Sequence, residues 1–143
     1  MKIALIMDLK RAEYLSRALE CFARIGSGQF ADMVETLDPK ATWDKRHSIE
    51  ATLKAELTPE LAYNESRGVG NKLIPKECAV SWDAYQALRR EVAWMRDGKD
   101  WRTGKLGDNM SGVQYREPMF YCGLEGKGFE TERVEDGDKQ GKC

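Results

Sequence analysis

The run from Ala79 to Asp97 (Ala-Val-Ser-Trp-Asp-Ala-Tyr-Gln-Ala-Leu-Arg-Arg-Glu-Val-Ala-Trp-Met-Arg-Asp) constrains this chain most. It reads as one helix, with aromatic side chains at Trp82, Tyr85 and Trp94 and basic ones at Arg89, Arg90 and Arg96. Such a helix packs on one side and holds something flat or anionic on the other. No catalytic signature accompanies it, which favours binding over chemistry.

A chain of 143 residues suits one domain with a core of its own, expected over 1–134, with a Gly- and charge-rich flexible tail at 135–143. Its 23 basic and 24 acidic residues leave a net charge of −1. A nucleic-acid binder usually carries a basic excess, so any anion site has to be local, and nucleic acid is not an expected partner. The only support for one is a patch at Lys99, Arg102 and Lys105.

The four cysteines, Cys21, Cys78, Cys122 and Cys143, are far apart and there is a single histidine, so no metal site is expected. Reduced cysteines suit a cytoplasmic setting. The apolar run Ile3–Met7 is too short for a signal peptide or for a membrane span of about 20 residues, so no membrane association is expected.

Along the chain, Lys2–Met7 reads as a short strand and Asp8 as the cap of a helix over Leu9–Ile25. Leu15, Ala18, Leu19, Phe22 and Ile25 give that helix an apolar stripe. Gly26-Ser27-Gly28 ends it, with Ser27 available to cap a second helix over Gln29–Leu37, whose inward residues are Phe30, Met33, Val34 and Leu37. A more polar helix follows over Trp43–Leu57, and Thr58-Pro59-Glu60 starts a further helical turn. Tyr63–Lys76 looks like a long loop, of a kind that is often functional. Beyond Gly98, short strands at Gly112–Tyr115 and Met119–Leu124 and a hairpin over Met119–Val134 complete the expected fold: an α-rich α+β domain of four or five helices with a small antiparallel sheet.

The catalytic and phosphate motifs fail on inspection. Gly98 to Lys105 resembles a phosphate-binding loop, but its glycines are wrongly spaced, Leu106 replaces the magnesium-binding Ser or Thr, and a helix precedes it. Gly68-Val69-Gly70 is a turn rather than a dinucleotide fingerprint. His47 lies beside Lys45 and Arg46 on a polar helix and reads as a solvated surface residue. No catalytic residue and no cofactor is assigned.

What remains is the pairing of arginine with aromatics. Tyr85 and Arg89 are four apart and share a helix face, which Trp82 roughly joins, whereas Arg89 and Arg90 diverge by about 100°. A guanidinium forks onto phosphate and a ring stacks on a base. The candidate ligand-binding residues are therefore Trp82, Tyr85, Arg89 and Arg90, with Arg24, Gln29 and Arg67 contributing from helix end and loop. The alternative is that Trp82, Tyr85, Leu88, Val92 and Met95 are core and the arginines are solvated.

The order of segments carries a resemblance. A helix ending in Gly26-Ser27-Gly28-Gln29-Phe30 precedes a loop at Asn64–Pro75; then come Trp82-Asp83-Ala84-Tyr85-Gln86, Ala93-Trp94 and the strand-like Gly112–Met119. This resembles small proteins of phages and integrated elements, and the layout is similar to the Thoeris anti-defence proteins of the first type, sponges for cyclic-ADP-ribose immune signals. The resemblance implies a homo-oligomer built on N-terminal helices, acting in the host cytoplasm. It also implies pockets of arginines, aromatics and backbone amides at subunit junctions, without catalysis. The helix at Trp43–Leu57 and the long tract at Gly98–Gly112 depart from the pattern.

Three functions follow as expectations. The first is sequestration of a small cyclic nucleotide without turnover. The second is inhibition of a host defence or metabolic protein through exposed apolar faces and the charged hairpin. The third is an unfamiliar enzyme, such as a carboxylate–metal phosphodiesterase, for which no carboxylate cluster has ligand spacing.

Overall fold

The computed structural model describes residues 4–68, 70–96 and 131. Four helices follow one another: α1 (Leu9–Gly26), α2 (Ala31–Leu37), α3 (Trp43–Leu57) and α4 (Lys76–Arg96). Asp8 opens α1, its carboxylate accepting the Arg11 N–H at 2.8 Å, a cap typically worth about 1 kcal/mol. The last turn of α1 meets the first turn of α4, and Glu20 meets Tyr85, so the two long helices run antiparallel. They form the main packing of the molecule, while α2 rests against α1 and α3.

The described residues contain no strand, which corrects the expected α+β class to an all-α one. Ala4–Met7, the described part of the expected first strand, has no ladder partner, and Leu5 and Ile6 are exposed. An apolar, β-branched run becomes a strand only where a neighbour completes its hydrogen bonds. The strands expected at Gly112–Tyr115 and Met119–Leu124, the hairpin over Met119–Val134 and the tail at 135–143 lie outside the described residues.

The inward face of α1 also differs from the expected stripe. Its buried residues are Ala12, Ser16, Ala23 and Gly26, whereas Phe22 and Ala18 are exposed and Leu15, Leu19 and Ile25 half-buried. Close helix pairing explains this. Small residues let two backbones approach, and Gly26 has no room for a side chain: a Cβ there would fall 2.4 Å from the Cys78 Cβ. On α4 the deepest residues are Cys78, Asp83, Gln86, Ala87, Val92, Ala93 and Trp94. Of the five residues that the alternative reading makes core, Val92 is buried, Trp82, Tyr85 and Leu88 are half-buried and Met95 is exposed, so that face is rotated part-way out.

The smaller elements serve the loop between α3 and α4. Phe30 and Val34 are buried and anchor α2, while Leu37 is exposed. Thr58-Pro59-Glu60 forms a turn rather than a further helix, and the buried Thr58 hydroxyl donates back to the Lys54 carbonyl at 3.1 Å. Lys54 is the one buried residue of α3, and its Nζ donates to the carbonyls of Tyr63 (2.6 Å) and Glu65.

Candidate functional site

The site begins with how α1 ends. Gly28 takes φ +80°, the left-handed conformation that turns the chain. The Gln29 N–H then reaches the Arg24 carbonyl at 2.9 Å and the Gly28 N–H the Ile25 carbonyl at 3.0 Å. This closing motif commonly brings two apolar side chains together across the helix end. Here the pair is polar: Arg24 Nη1 donates to Gln29 Oε1 at 2.7 Å. Ser27, expected as the cap of the next helix, instead closes this one, its hydroxyl donating to the Arg24 carbonyl at 2.8 Å.

Arg24 and Gln29 thereby form one wall of a cavity of about 190 Å³. Cys78 and Trp82 of α4 line it opposite, and Ser66, Arg67 and Gly68 of the loop close it. Four of the seven residues expected to bind ligand (Arg24, Gln29, Arg67 and Trp82) thus come together from three separate stretches of chain. Tyr85 and Arg89 sit further along α4, outside the cavity wall: the rings of Trp82 and Tyr85 are 5.5 Å apart, and the Arg89 guanidinium lies 5.7 Å from the Tyr85 ring. Arg90 diverges from Arg89, is half-buried, and is partnered within the chain.

Arg67 fixes the loop. Its N–H donates to the Ser27 carbonyl at 2.9 Å, and its Nη1 reaches the carbonyls of Gly26 and Leu73 at 3.4 Å. Its Nε and Nη2 fork onto a single Glu60 oxygen, with Nε at 2.9 Å. That bond from Arg67 holds the Glu60 carboxyl below the ordinary glutamate range.

Arg24 is equally committed. Its Nη2 donates to Glu20 Oε1 at 2.8 Å, and its Nε lies 2.9 Å from Asp32 Oδ2. Burial opposes the charge on Arg24, but the Glu20 hydrogen bonds and the two carboxylates outweigh it, and the pKa is raised. Burial also raises the phenol of Tyr85, as does Glu20, against the opposing effect of Arg89. An alternating row therefore runs Asp32, Arg24, Glu20, Tyr85, Arg89.

Glu20, Asp32 and Glu60, the carboxylates that neutralise the candidate arginines, are not among the expected site residues. Only the Glu20–Arg24 pair carried a signal, because residues four apart on a helix are neighbours. Ser66 and Gly68 lie in the long loop singled out as a candidate functional segment, though neither is itself among the expected ligand-binding residues. His47 is half-buried rather than solvated, its ring 3.7 Å from that of Trp43 and 5.9 Å from that of Tyr63.

The cavity presents an indole, two guanidiniums, a carboxamide and a thiol. Its one thiol, Cys78, is raised by burial, the reverse of what a nucleophile requires. The Trp82 Nε1 is a buried donor with no hydrogen-bond partner. Among the described residues no cluster of three or more His, Cys, Asp or Glu side chains could hold a metal ion. No described helix is long and apolar enough to cross a membrane. No family model, curated protein or solved structure matches this chain.

Proposed function

We propose that the chain is a binding protein that sequesters a small cyclic nucleotide signal without turning it over. It would be a phage anti-defence protein acting in the host cytoplasm as a homo-oligomer. The observation that carries this reading is the convergence of Arg24, Gln29, Arg67 and Trp82 on one cavity, beside a row of Tyr85 and Arg89. The cavity's 190 Å³ is below the usual range of about 300–1,000 Å³ for small-molecule sites, so it accommodates one ring system rather than a whole cyclic nucleotide. The rest of the ligand then lies along α4 or against a second copy, which suits an oligomeric binder.

Thermal unfolding against cyclic-ADP-ribose isomers, cyclic dinucleotides and cyclic trinucleotides tests the proposal. Ligand at 100 times its dissociation constant stabilises the fold by about 2.7 kcal/mol, a shift of several degrees. A shift with one compound, which is then recovered intact, is the expected result. No shift with any of them rejects it for this panel.

One observation favours a second reading, inhibition of a host protein. Tyr14 and Phe22 are exposed, at 61% and 46%, and with Ala18 they form a stripe at four-residue spacing on the outer side of α1. Exposed apolar stripes of this kind mark contact surfaces. Tyr14→Glu abolishing activity while Trp82→Leu leaves it intact would select that reading.

A further inference from the structure

We infer that the two ends of the ligand are separated along α4: a neutral ring enters the cavity against Trp82, and its phosphate sits outside at Arg89 rather than at Arg24 or Arg67. The inference rests on the nucleotide-binding reading and assigns the parts of the ligand to residues.

The cavity is a poor place for an anion. Its two guanidiniums face three carboxylates: Arg24 holds Glu20 at 2.8 Å and Asp32 at 2.9 Å, and Arg67 is forked onto Glu60. A phosphate entering there would have to displace a carboxylate or add to an existing negative excess. The carbonyl end of α1 also closes this side, and the C-terminal end of a helix repels negative charge.

Its uncommitted groups suit a ring instead. Trp82 lines the cavity and its Nε1 is buried without a partner, a donor that a ring nitrogen or carbonyl would satisfy once the indole turns to meet it. Arg24 holds Gln29 Oε1, which leaves the carboxamide nitrogen to donate.

Arg89 differs from both cavity arginines. Its contacts are with an aromatic residue: the guanidinium stands over the Tyr85 ring and hydrogen-bonds to the Tyr85 side chain, while its Nε is buried without a partner. Trp82 and Arg89 are seven residues apart on α4, a rise of about 10 Å at 1.5 Å per residue. That is the reach from a nucleobase to the second phosphate of an extended nucleoside diphosphate. Tyr85 lies between them and lines the path.

Calorimetric titration of the full chain tests this, with adenosine and guanosine, their 5′-diphosphates, and pyrophosphate as probes. Wild type is expected to bind a diphosphate more tightly than its nucleoside, and Arg89→Gln to weaken the diphosphate by about tenfold or more while leaving the nucleoside unchanged. Added salt should weaken diphosphate binding in wild type and not in Arg89→Gln. Trp82→Phe, which keeps a ring and removes the indole N–H, should weaken nucleoside and diphosphate alike. Arg89→Lys, checked for fold by circular dichroism, should recover part of the affinity.

Diphosphate binding that is insensitive to Arg89→Gln overturns the inference and leaves the binding reading standing. So does pyrophosphate that competes with nucleoside for the cavity. Failure of every probe to bind wild type also overturns the inference, while the cyclic-nucleotide panel separately decides the binding reading.

Discussion

Gly26 and Cys78 touch where α1 crosses α4, so closely that a methyl group at position 26 would lie 2.4 Å from the Cys78 Cβ and 2.7 Å from its sulfur. A rotamer change could move the sulfur away but not the nearer Cβ, which is fixed to a helix backbone. Gly26→Ala is expected to lower stability by about 1–3 kcal/mol, the usual cost of overpacking. Calorimetric unfolding would show a midpoint several degrees lower. Cys78→Ala should not rescue it, since the Cβ remains, and rescue by that substitution would refute this account of the crossing.

Lys54 is 5% exposed and spends its ammonium on the carbonyls of Tyr63 and Glu65. Lys54→Met keeps most of the apolar stem and removes the donor, stranding both acceptors at about 1–3 kcal/mol. Urea unfolding should report the loss. Hydrogen exchange should also speed up at the Arg67 amide, which donates to Ser27 at the far side of the same loop. An unchanged exchange rate there would separate Lys54 from the cavity rim.

The Glu60–Arg67 pair makes stability depend on pH. The hydrogen bond from Arg67 holds the Glu60 carboxyl below its ordinary value, so the folded state favours the ionised form. This contribution is fully present above the unfolded glutamate pKa of about 4.3, and is lost as pH falls through the lower folded value. Asp38, lowered chiefly by its hydrogen bond from Lys45, acts with the same sign. Chemical unfolding from pH 6 down to pH 3 should lose stability less steeply in Glu60→Gln than in wild type. Parallel curves would mean that the pair contributes nothing.

The ends of the helices were more legible than their faces. Trp43–Leu57 was expected with those bounds and is found with them, because Thr42 opens the helix and Thr58 leaves it. Leu9–Ile25 is extended by one residue, and Ala79–Asp97 begins earlier, at Lys76. The faces were misread because hydrophobicity was taken as a guide to depth. In α1 the closest approach instead uses Ala12, Ser16, Ala23 and Gly26, and the larger apolar residues fall to the side.

The strand expected at Lys2–Met7 has no ladder partner along its described part, a matter of long-range pairing that a local pattern does not carry. The cavity was legible to the extent that Arg24, Gln29, Arg67 and Trp82 meet there. Which arginines are already spent was not. Asp32 reaches Arg24 from a different helix, and Glu60 reaches Arg67 across a loop, and neither spacing is a sequence motif.

The loop that rims the cavity is held by main-chain atoms: Lys54 grips the carbonyls of Tyr63 and Glu65, and the Arg67 amide grips that of Ser27. Carbonyls and amides are the same whatever side chain they carry. Ser66 and Gly68, which line the cavity, can therefore be exchanged over generations while the path of the loop stays put. A chain built this way can change the chemistry of its cavity rim by point changes, without first having to reinvent its scaffold.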